Sequence, residues 1–386
     1  MTKKLKNSNR SDIAMFRALD ILRQVNEREA TGQNIIRMGA GQPCFGAPQA
    51  ALEYASEMMI KDPRQGYTEA MGMPALRERI VQYYADYYGV TDISPANIVI
   101  TTGSSSGFIL DFIAAFDAGD RIALTTPTYP AYRNILKSLN LEVVEIEARK
   151  TDNYQPTLDL LQNCGQEFDG IIINSPSNPC GTMIDEGEFE KICHWCSKNG
   201  IRVISDEAYH GITYGTKSQT ALKYSKDVIV LNTFSKYFAM TGWRLGWSIL
   251  PDDLVDRVKK LSESLFVSAP TISQHLAYKV FDHIDVLDGY VAAYQKNRDI
   301  VLNEFAAANI TDVTNAAGAF YIYADIHHMS NNSERFCEEM LNEALVSTTP
   351  GTDFDLTRGI QNIRICYADS ADNIREACER IKEWKA

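Results

Sequence analysis

The chain has 386 residues, of which 45% are hydrophobic and 23% are charged, a composition typical of a folded protein large enough for two domains. Its formal net charge is −12, and its one basic cluster, at Lys3, Lys4 and Lys6, is typical of a solvated tail. We therefore do not expect the protein to bind nucleic acid. No stretch reaches the roughly 20 apolar residues of a membrane span, so we expect a cytoplasmic protein with no membrane partner.

The first predicted element is an amphipathic helix over residues 12–28, which we expect to pack on the C-terminal section because nothing nearby covers its apolar face. From about residue 70 to 250, short β-branched runs alternate with helical patterns, which is typical of βαβ units that build a mostly parallel sheet. The predicted strands are 98–101, 121–125, 142–146, 170–174, 202–205, 228–232 and 245–250, with helices between them at 106–116, 132–139 and 186–198.

Beyond residue 251 the pattern turns helical, over 253–265 and 272–305, and the last section mixes strands at 320–324 and 363–367 with further helices. We therefore predict an α/β protein with an N-terminal segment 1–45 that packs on the small domain, a large domain 46–285 and a small α+β domain 286–386. In such sheets ligands bind beyond the carboxyl ends of the strands, so polar residues just past a strand are the functional candidates.

Cys193 and Cys196, two of eight scattered cysteines, form a C-x-x-C motif inside the predicted helix 186–198. No second Cys or His pair stands at a zinc-like spacing in the sequence. We expect these thiols to pack rather than to serve metal or redox chemistry, and we predict no metal site.

Lys236 follows a predicted strand directly, in NTFSKYFAM. A lysine in this position can form an imine with an aldehyde and can later move a proton. Because most lysines are solvated surface charges, the assignment depends on the residues around it.

Two further strand ends carry groups that suit a pyridine ring bearing an oxygen. Asp206 ends a strand and can keep a ring nitrogen protonated, because an opposite charge held close favours the charged form. Tyr209 and Asn178, the latter fixed in the turn NSPSNPCG, can both donate hydrogen bonds to the ring oxygen. The structural alternatives are a capping Asp, a core Tyr and an ordinary Asn-Pro turn.

The segment TTGSSSGF predicts a strand, a Gly/Ser loop and then a helix. Its residues 103–106 therefore present amides and hydroxyls at a helix N-terminus, which is a binding site for an anion such as phosphate. Arg244, in GWRLG, supplies a cation whose planar fork suits the same group.

Tyr129, in TPTYPAY, offers an aromatic face that can stack on a flat ring, with core packing as the alternative. Arg364 lies inside an apolar strand, where an unpaired guanidinium is costly, so it needs a carboxylate that is either structural or part of a substrate. Together these residues match the parts of pyridoxal 5'-phosphate (PLP), whose protonated ring acts as an electron sink.

Ordered motifs along nearly the whole chain resemble the class I/II aminotransferases of PLP fold type I, the aspartate aminotransferase superfamily. They are GAGQP (39–43), QGYTEAMGMPALR (65–77), TTGSSSG, TPTYPAY, NSPSNPCG, DEAY, SK, GWRLGW, GAFY (318–321), TPG (349–351) and the arginine strand. The resemblance implies PLP as the cofactor. It also implies a large domain with a mostly parallel central sheet flanked by helices, plus a smaller α+β domain built from both termini.

The resemblance implies Lys236 as the Schiff-base lysine and proton shuttle, Asp206 as the partner of the pyridine nitrogen and Tyr129 as the residue that stacks on the ring. Its other implied cofactor contacts are Asn178 and Tyr209 on the 3-oxygen, and Ser104, Ser105, Ser235 and Arg244 on the phosphate.

For the substrate, the resemblance implies that Arg364 binds the α-carboxylate with help from Asn178 and the Gly41 backbone. Tyr67 would reach the cofactor phosphate of the neighbouring subunit. That assignment implies a homodimer with shared active sites.

Three residues beside the site, Cys44, Cys180 and Thr233, differ from the usual family residues but leave its functional atoms in place. Residues 261–273 contain no arginine, although some dicarboxylate-specific relatives place one there, and Ser105 stands where certain acid-specific members carry Lys. We therefore expect a substrate whose side chain is neutral or mixed in character.

The leading functional hypothesis is ping-pong transfer of an amino group between an L-amino acid and a 2-oxo acid. One alternative keeps the fold and changes the reaction to β- or γ-elimination, cyclisation or decarboxylation, because the sequence does not show which bond at Cα is aligned with the ring. The other is a non-enzymatic PLP-binding effector domain. We expect a DNA-binding domain beside such a module, and the roughly 40 residues before GQP leave no room for one.

Overall fold

The structure is a computed structural model that describes residues 5–385. The predicted N-terminal segment and small domain each extend slightly past this range, and Lys3 and Lys4 of the basic cluster lie outside it. None of the helices described is both long enough and apolar enough to cross a membrane.

The described residues form helices and strands that follow one another in the order expected from the sequence. The α-helices are α1 (Arg17–Glu29), α2 (Gln49–Lys61), α3 (Pro74–Tyr88), α4 (Gly103–Ala115), α5 (Pro130–Ser138), α6 (Leu158–Gln162), α7 (Glu186–Lys198), α8 (Asp252–Leu265), α9 (Thr271–Val280), α10 (Ile284–Ala307), α11 (Ser333–Glu339) and α12 (Ala371–Lys385). The strands are β1 (Ile36–Arg37), β2 (Ile98–Thr101), β3 (Arg121–Thr126), β4 (Glu142–Glu147), β5 (Gly170–Asn174), β6 (Arg202–Asp206), β7 (Ile229–Thr233), β8 (Gly246–Ile249), β9 (Tyr321–Asp325), β10 (Val346–Ser347), β11 (Thr349–Pro350) and β12 (Asn362–Cys366).

The central sheet has the order β2-β8-β7-β6-β5-β3-β4, in which β8 runs antiparallel to its neighbours and the other pairings are parallel. Successive side chains of a strand face opposite sides of a sheet. In β5, Ile171 and Ile173 join one core cluster and Ile172 joins another, so helices cover both faces. The predicted α/β fold with a mostly parallel central sheet is confirmed.

The C-terminal section contains an antiparallel sheet of order β11-β12-β9 and a short parallel pair of β1 with β10. Because β1 comes from the start of the chain, both termini contribute to this section. The side chain of Val25 on α1 packs with Leu341, as expected for the N-terminal helix. The exact domain boundaries remain predictions.

The nine predicted strands end within one residue of the observed strands, whereas four of the six predicted helices differ by more, most of all α1 and the helix predicted at 272–305. Helix α1 begins at Arg17 instead of residue 12, because the Asp353 carboxylate accepts hydrogen bonds from the amides of Arg17 and Ala18, both at 3.3 Å. The predicted helix 272–305 is two helices, separated by a 3-10 turn at Phe281–His283. The break occurs where Phe281 turns inward against Phe234 and Phe238.

Cys193 and Cys196 lie on α7, and both side chains are buried in the main core cluster. Their helix begins and ends at the predicted residues. The expectation that these thiols pack in the core is therefore confirmed.

Candidate active site

The carboxyl ends of β2, β3, β5, β6 and β7 meet at one edge of the central sheet, and the segments that follow them line a cavity of about 300 Å³. Arg244 reaches the same edge because β8 runs the other way and begins just after it. Eleven of the twelve residues predicted from the sequence line this cavity: Gly41, Ser104, Ser105, Tyr129, Asn178, Asp206, Tyr209, Ser235, Lys236, Arg244 and Arg364. Only Tyr67 lies elsewhere.

Lys236 lies in the turn after β7, and its amine donates a hydrogen bond to the backbone carbonyl of Gly41 at 2.6 Å. Burial lowers the pKa of this amine to about 8, and the positive charges of Arg364 and Arg244 act in the same direction. A usable fraction of the amine is therefore unprotonated near neutral pH, as a nucleophile or base requires.

Asp206 ends β6 at the inner wall of the cavity. One carboxylate oxygen accepts a hydrogen bond from the Ala208 amide at 3.1 Å, and the other accepts one from the Tyr132 hydroxyl. Burial raises the pKa of the Asp206 carboxyl to about 6, while these two donors oppose the shift. A cation brought into the cavity would favour the ionised carboxylate.

Asn178 and Tyr209 present polar groups on the same side of the cavity. The Asn178 side-chain oxygen accepts a hydrogen bond from Arg364 Nη1 at 2.8 Å, and its backbone amide donates to Asn174 Oδ1 at 2.8 Å. The Tyr209 hydroxyl pairs with the Tyr321 hydroxyl at 2.7 Å. Each residue is thus fixed by a partner while it still lines the cavity.

The predicted anion site is a helix N-terminus packed against an arginine. Helix α4 begins at Gly103, three residues before its predicted start, so the amides of Gly103, Ser104 and Ser105 lie in its first turn without helical acceptors. Gly103 has a φ of +72°, and a Cβ there would lie 2.6 Å from Arg244 Nη2. Any other residue here would strain the backbone and displace the guanidinium from this position.

Ser235 connects this anion site to the Lys236 turn. Its hydroxyl accepts a hydrogen bond from the Thr233 hydroxyl at 3.0 Å, and its backbone carbonyl accepts one from the Thr241 hydroxyl at 3.0 Å. Arg244 Nη1 in turn donates to the Thr241 carbonyl at 3.0 Å. The groups predicted to hold a phosphate therefore form one connected cluster.

Arg364 is 2% exposed, and its guanidinium lies over the rings of Tyr321 and Phe354, 4.6 and 4.7 Å from their centroids. Its hydrogen bonds within residues 5–385 go to neutral oxygens, of Asn178 at 2.8 Å, Gly39 at 2.6 Å and Thr349 at 3.3 Å. Its Nε has no partner among these residues. A buried cation held only by neutral groups is prepared for an anion from outside the chain.

The outer wall of the cavity is apolar and comes partly from α1. Tyr129 caps α5, and its ring packs edge-on against Phe16 at 5.6 Å and Tyr132 at 5.3 Å. Leu19 and Leu22, on the same side of α1 as Phe16, also line the cavity. The sequence analysis did not identify this wall, because it depends on where α1 docks.

Tyr67 lies in the segment between α2 and α3, and 87% of its surface is exposed. The segment is nevertheless anchored, because the Thr271 hydroxyl donates to the Gly66 carbonyl at 2.7 Å and Gln274 Nε2 donates to Thr68 Oγ1 at 3.0 Å. Tyr67 is thus an ordered residue that contributes nothing to the cavity of its own chain.

Two lining residues, Tyr132 and Tyr321, were not predicted as site residues, although both occur in motifs quoted above. Tyr132 follows Tyr129 by three residues on α5, a spacing that puts both on one side of a helix. Tyr321 is the last residue of the GAFY motif and the first residue of β9. In each case the hydroxyl partner is distant in the sequence, so no local signal identifies it.

The chain was compared with known proteins. A model of the family "Aminotransferase class I and II" matches residues 33–381. A valine–pyruvate aminotransferase from Mycobacterium tuberculosis is 39% identical over 97% of each chain, and a (5-formylfuran-3-yl)methyl phosphate transaminase from Methanocaldococcus jannaschii is 34% identical over 96% of each chain. The crystal structure of an aminotransferase from M. tuberculosis superimposes with a TM-score of 0.96 at 38% identity, covering 99% of both chains.

These likenesses extend over nearly the full length of the chain, and the relatives are named for amino-group transfer, as the leading hypothesis expects. The chain therefore belongs to the class I and II aminotransferase family, whose members are PLP-dependent enzymes.

Proposed function

We propose that this chain binds PLP through Lys236, and that it transfers amino groups between an L-amino acid with a neutral side chain and a 2-oxo acid, as a homodimer. The observation that carries the proposal is the buried guanidinium of Arg364, which bonds only neutral groups and lines the same cavity as the Lys236 amine. That arrangement provides a clamp for a carboxylate next to a reactive amine.

The charges that line the cavity fit a phosphate and a carboxylate together. Among the described lining residues, Lys236, Arg244 and Arg364 are cationic and Asp206 is acidic. The free amides of α4 and the Arg244 guanidinium suit the phosphate, with Ser104, Ser105 and Ser235 as further donors. Arg364 remains for the substrate carboxylate, because its partners Asn178 and Tyr321 do not belong to this cluster.

The residues around the middle of the cavity fit the pyridine ring. Asp206 supplies a carboxylate for the ring nitrogen, and Tyr132 and the Ala208 amide orient that carboxylate. Tyr209 and Asn178 supply donors for the 3-oxygen, and Tyr129 supplies an aromatic face. When bound, PLP supplies an electron-withdrawing ring that stabilises negative charge at the substrate Cα.

In this proposal the chain binds the substrate carboxylate with Arg364, and Lys236 moves the proton at Cα. An amine whose pKa is about 8 is suited to both steps of such a transfer, because it accepts and returns a proton near neutral pH. Positioned acid-base groups of this kind typically contribute about a hundredfold to ten-thousandfold in rate. The apolar wall of Phe16, Leu19 and Leu22 would keep water from the reacting atoms.

The preference for a neutral side chain rests on the engagement of two nearby arginines. Arg17 forms an ion pair with Glu334 at 2.9 Å. Arg358 is bound to Asp355 at 2.8 Å and donates to the Thr126 carbonyl at 2.9 Å. With both cations engaged elsewhere, a second substrate carboxylate would lose its hydration without gaining a partner. The naming of one relative as a valine–pyruvate aminotransferase agrees with a neutral donor.

The homodimer is supported by Tyr67 and by apolar side chains exposed near it. Met59 and Ile60 on α2 and Tyr278 on α9 are exposed, and α2 and α9 pack against each other beside the segment that carries Tyr67. An ordered tyrosine next to exposed apolar groups suits a surface that a second copy covers. Tyr67 would then reach the phosphate of the other subunit.

Half-reactions test the proposed reaction and its substrate class. Each L-amino acid is added to the PLP-loaded protein without a 2-oxo acid, and the cofactor absorbance and any released ammonia are followed. We expect stoichiometric amination of the cofactor by donors with neutral side chains, and no ammonia. Catalytic release of ammonia or carbon dioxide would contradict amino transfer, and reaction with aspartate and glutamate alone would contradict the substrate class.

A further inference from the structure

Tyr321 contacts three parts of the cavity, at Tyr209, Arg364 and Gly41. It is the first residue of β9 and is 1% exposed. Its hydroxyl oxygen lies 2.7 Å from the Tyr209 hydroxyl oxygen, and its ring centroid lies 4.6 Å from the Arg364 guanidinium carbon. A Cβ at Gly41, whose carbonyl accepts from Lys236, would overlap the Tyr321 hydroxyl.

Either hydroxyl of the Tyr209–Tyr321 pair can donate its proton to the other. Burial raises the pKa of both phenols, so each keeps its single proton and can donate only one hydrogen bond. If Tyr209 donates to Tyr321, its proton is used inside the pair. If Tyr321 donates to Tyr209, the Tyr209 proton remains for an acceptor in the cavity.

The structure assigns a positioning role to Tyr321: its hydroxyl donates to Tyr209 and thereby directs the Tyr209 proton to the 3-oxygen of the cofactor, while its ring holds Arg364 in place for the substrate carboxylate. This inference rests on the proposed function, because it takes PLP as the occupant of the cavity. It adds a residue that links the ring-binding half of the site to the carboxylate clamp.

Two physical effects connect these contacts to function. A hydroxyl that accepts a hydrogen bond becomes a better donor, so Tyr321 strengthens the bond from Tyr209 to the 3-oxygen. The rings of Tyr321 and Phe354 pack on the Arg364 guanidinium and limit the positions that it can take. The first effect needs the hydroxyl and the second needs only the ring, so substitutions can separate them.

The hydroxyl is tested by the Tyr321→Phe substitution, which keeps the ring. Without the Tyr321 hydroxyl, the Tyr209 hydroxyl donates a weaker hydrogen bond to the 3-oxygen of the cofactor. The 3-oxygen is then more basic and holds a proton more tightly. We expect the pH midpoint of the bound cofactor's visible absorbance to rise by roughly half to one pH unit, the size of one neutral hydrogen bond. The donor KM should change less than about twofold, whereas Tyr321→Leu should raise it by roughly threefold or more, since a buried cation-aromatic contact is lost.

Two further proteins make the result specific. Tyr323→Phe is the matched control, because Tyr323 lies on the same strand and its buried hydroxyl has no hydrogen-bond partner among residues 5–385. It should titrate as the wild type does. In a Tyr209→Phe background, Tyr321→Phe should add no further shift, because Tyr321 acts through Tyr209.

The inference is overturned if Tyr321→Phe titrates as the wild type does, if its shift persists in the Tyr209→Phe background, or if Tyr323→Phe shifts equally. These outcomes differ from a failure of the proposed function. If the proposed function is wrong, the wild-type protein itself would show no cofactor absorbance in the visible range, and both proposals would be contradicted.

Discussion

At the scale of single residues, the cavity holds two cationic groups whose hydrogen bonds within residues 5–385 go to neutral oxygens. The Lys236 amine donates to a backbone carbonyl, and the Arg364 guanidinium bonds neutral oxygens of Asn178, Gly39 and Thr349. Burying a charge in this way costs stability, because the lost hydration is only partly replaced. In the proposed function, the phosphate of the cofactor and the carboxylate of the substrate supply anions that offset this cost.

The role of Arg364 predicts a selective loss of substrate affinity. In Arg364→Gln we expect kcat/KM for the amino donor to fall about 10- to 100-fold, mostly through KM, since one charged hydrogen-bond donor is lost. PLP affinity should be unchanged, because the phosphate cluster is separate. Steady-state kinetics and a PLP titration measure both, with Arg17→Gln, an exposed ion-pair residue, as the control. An unchanged donor KM in Arg364→Gln would rule out the clamp.

The sequence was sufficient to predict eleven residues of the cavity, because each follows a strand or belongs to a motif with a chemical reason. Tyr132 and Tyr321 were not predicted, since their hydroxyl partners Asp206 and Tyr209 are 74 and 112 residues away along the chain. A tyrosine in an apolar stretch reads as core until the fold supplies its partner. The roles of all twelve residues remain predictions.

At the scale of secondary-structure elements, α4 links the anion site to the core. Its N-terminus carries the free amides, and one turn before its end Asp111 is fully buried and accepts a hydrogen bond from the Ser248 hydroxyl on β8 at 2.7 Å. The other Asp111 oxygen has no partner within residues 5–385. Burial raises the pKa of this carboxyl to about 8, so it is mostly protonated at neutral pH.

Asp111 should make the stability of the cofactor-free protein depend on pH. The Asp111 pKa is about 8 in the folded chain, against an ordinary value of 3.8, so between these values the folded state holds one more proton than the unfolded state. The contribution of the protonated Asp111 carboxyl to the free energy of unfolding is therefore fully present below pH 3.8 and is lost as the pH rises towards 8. Relative to Asp111→Asn, wild-type unfolding free energy should fall by about 1.4 kcal/mol per pH unit in this window.

Chemical denaturation of both proteins at pH 5, 6 and 7 measures this slope. Asp117→Asn, which removes an exposed carboxylate just beyond the same helix, is the control for the loss of a carboxylate as such. A constant difference between wild type and Asp111→Asn across the three pH values would show that Asp111 ionises as easily in the folded chain as in the unfolded chain.

Element boundaries follow from the sequence only where local chemistry sets them. The strands and α7 end at apolar runs and turn residues, and these bounds were predicted within one residue. The start of α1 depends on Asp353, more than 330 residues away, and the break before α10 depends on the burial of Phe281. Both are tertiary effects that a local hydrophobic pattern does not contain.

At the scale of the whole molecule, the exposure of Tyr67 is the main feature that one chain leaves unexplained. It belongs to a motif of the family, it is 87% exposed, and its segment is anchored to α9. A second copy that covers this surface would complete the cavity with Tyr67. We therefore expect activity to depend on residues from two chains.

Subunit mixing tests the shared site. A Lys236→Ala chain and a Tyr67→Ala chain are each impaired alone. In a mixed dimer, one site has Lys236 and Arg364 from the second chain and Tyr67 from the first, so we expect activity at limiting PLP to recover after subunit exchange. As the control, Lys236→Ala mixed with Arg364→Ala should not recover, because both residues serve the site from one chain. The absence of recovery in the first mixture would contradict a shared site.

Chemical reduction tests whether Lys236 carries the cofactor. The PLP-loaded wild-type protein is treated with borohydride, digested, and the labelled peptide is identified by mass spectrometry. We predict that the label is on Lys236, and that Lys236→Ala remains folded and binds PLP without a covalent label and without turnover. A label on any other lysine, or its absence from the wild-type protein, would contradict the account.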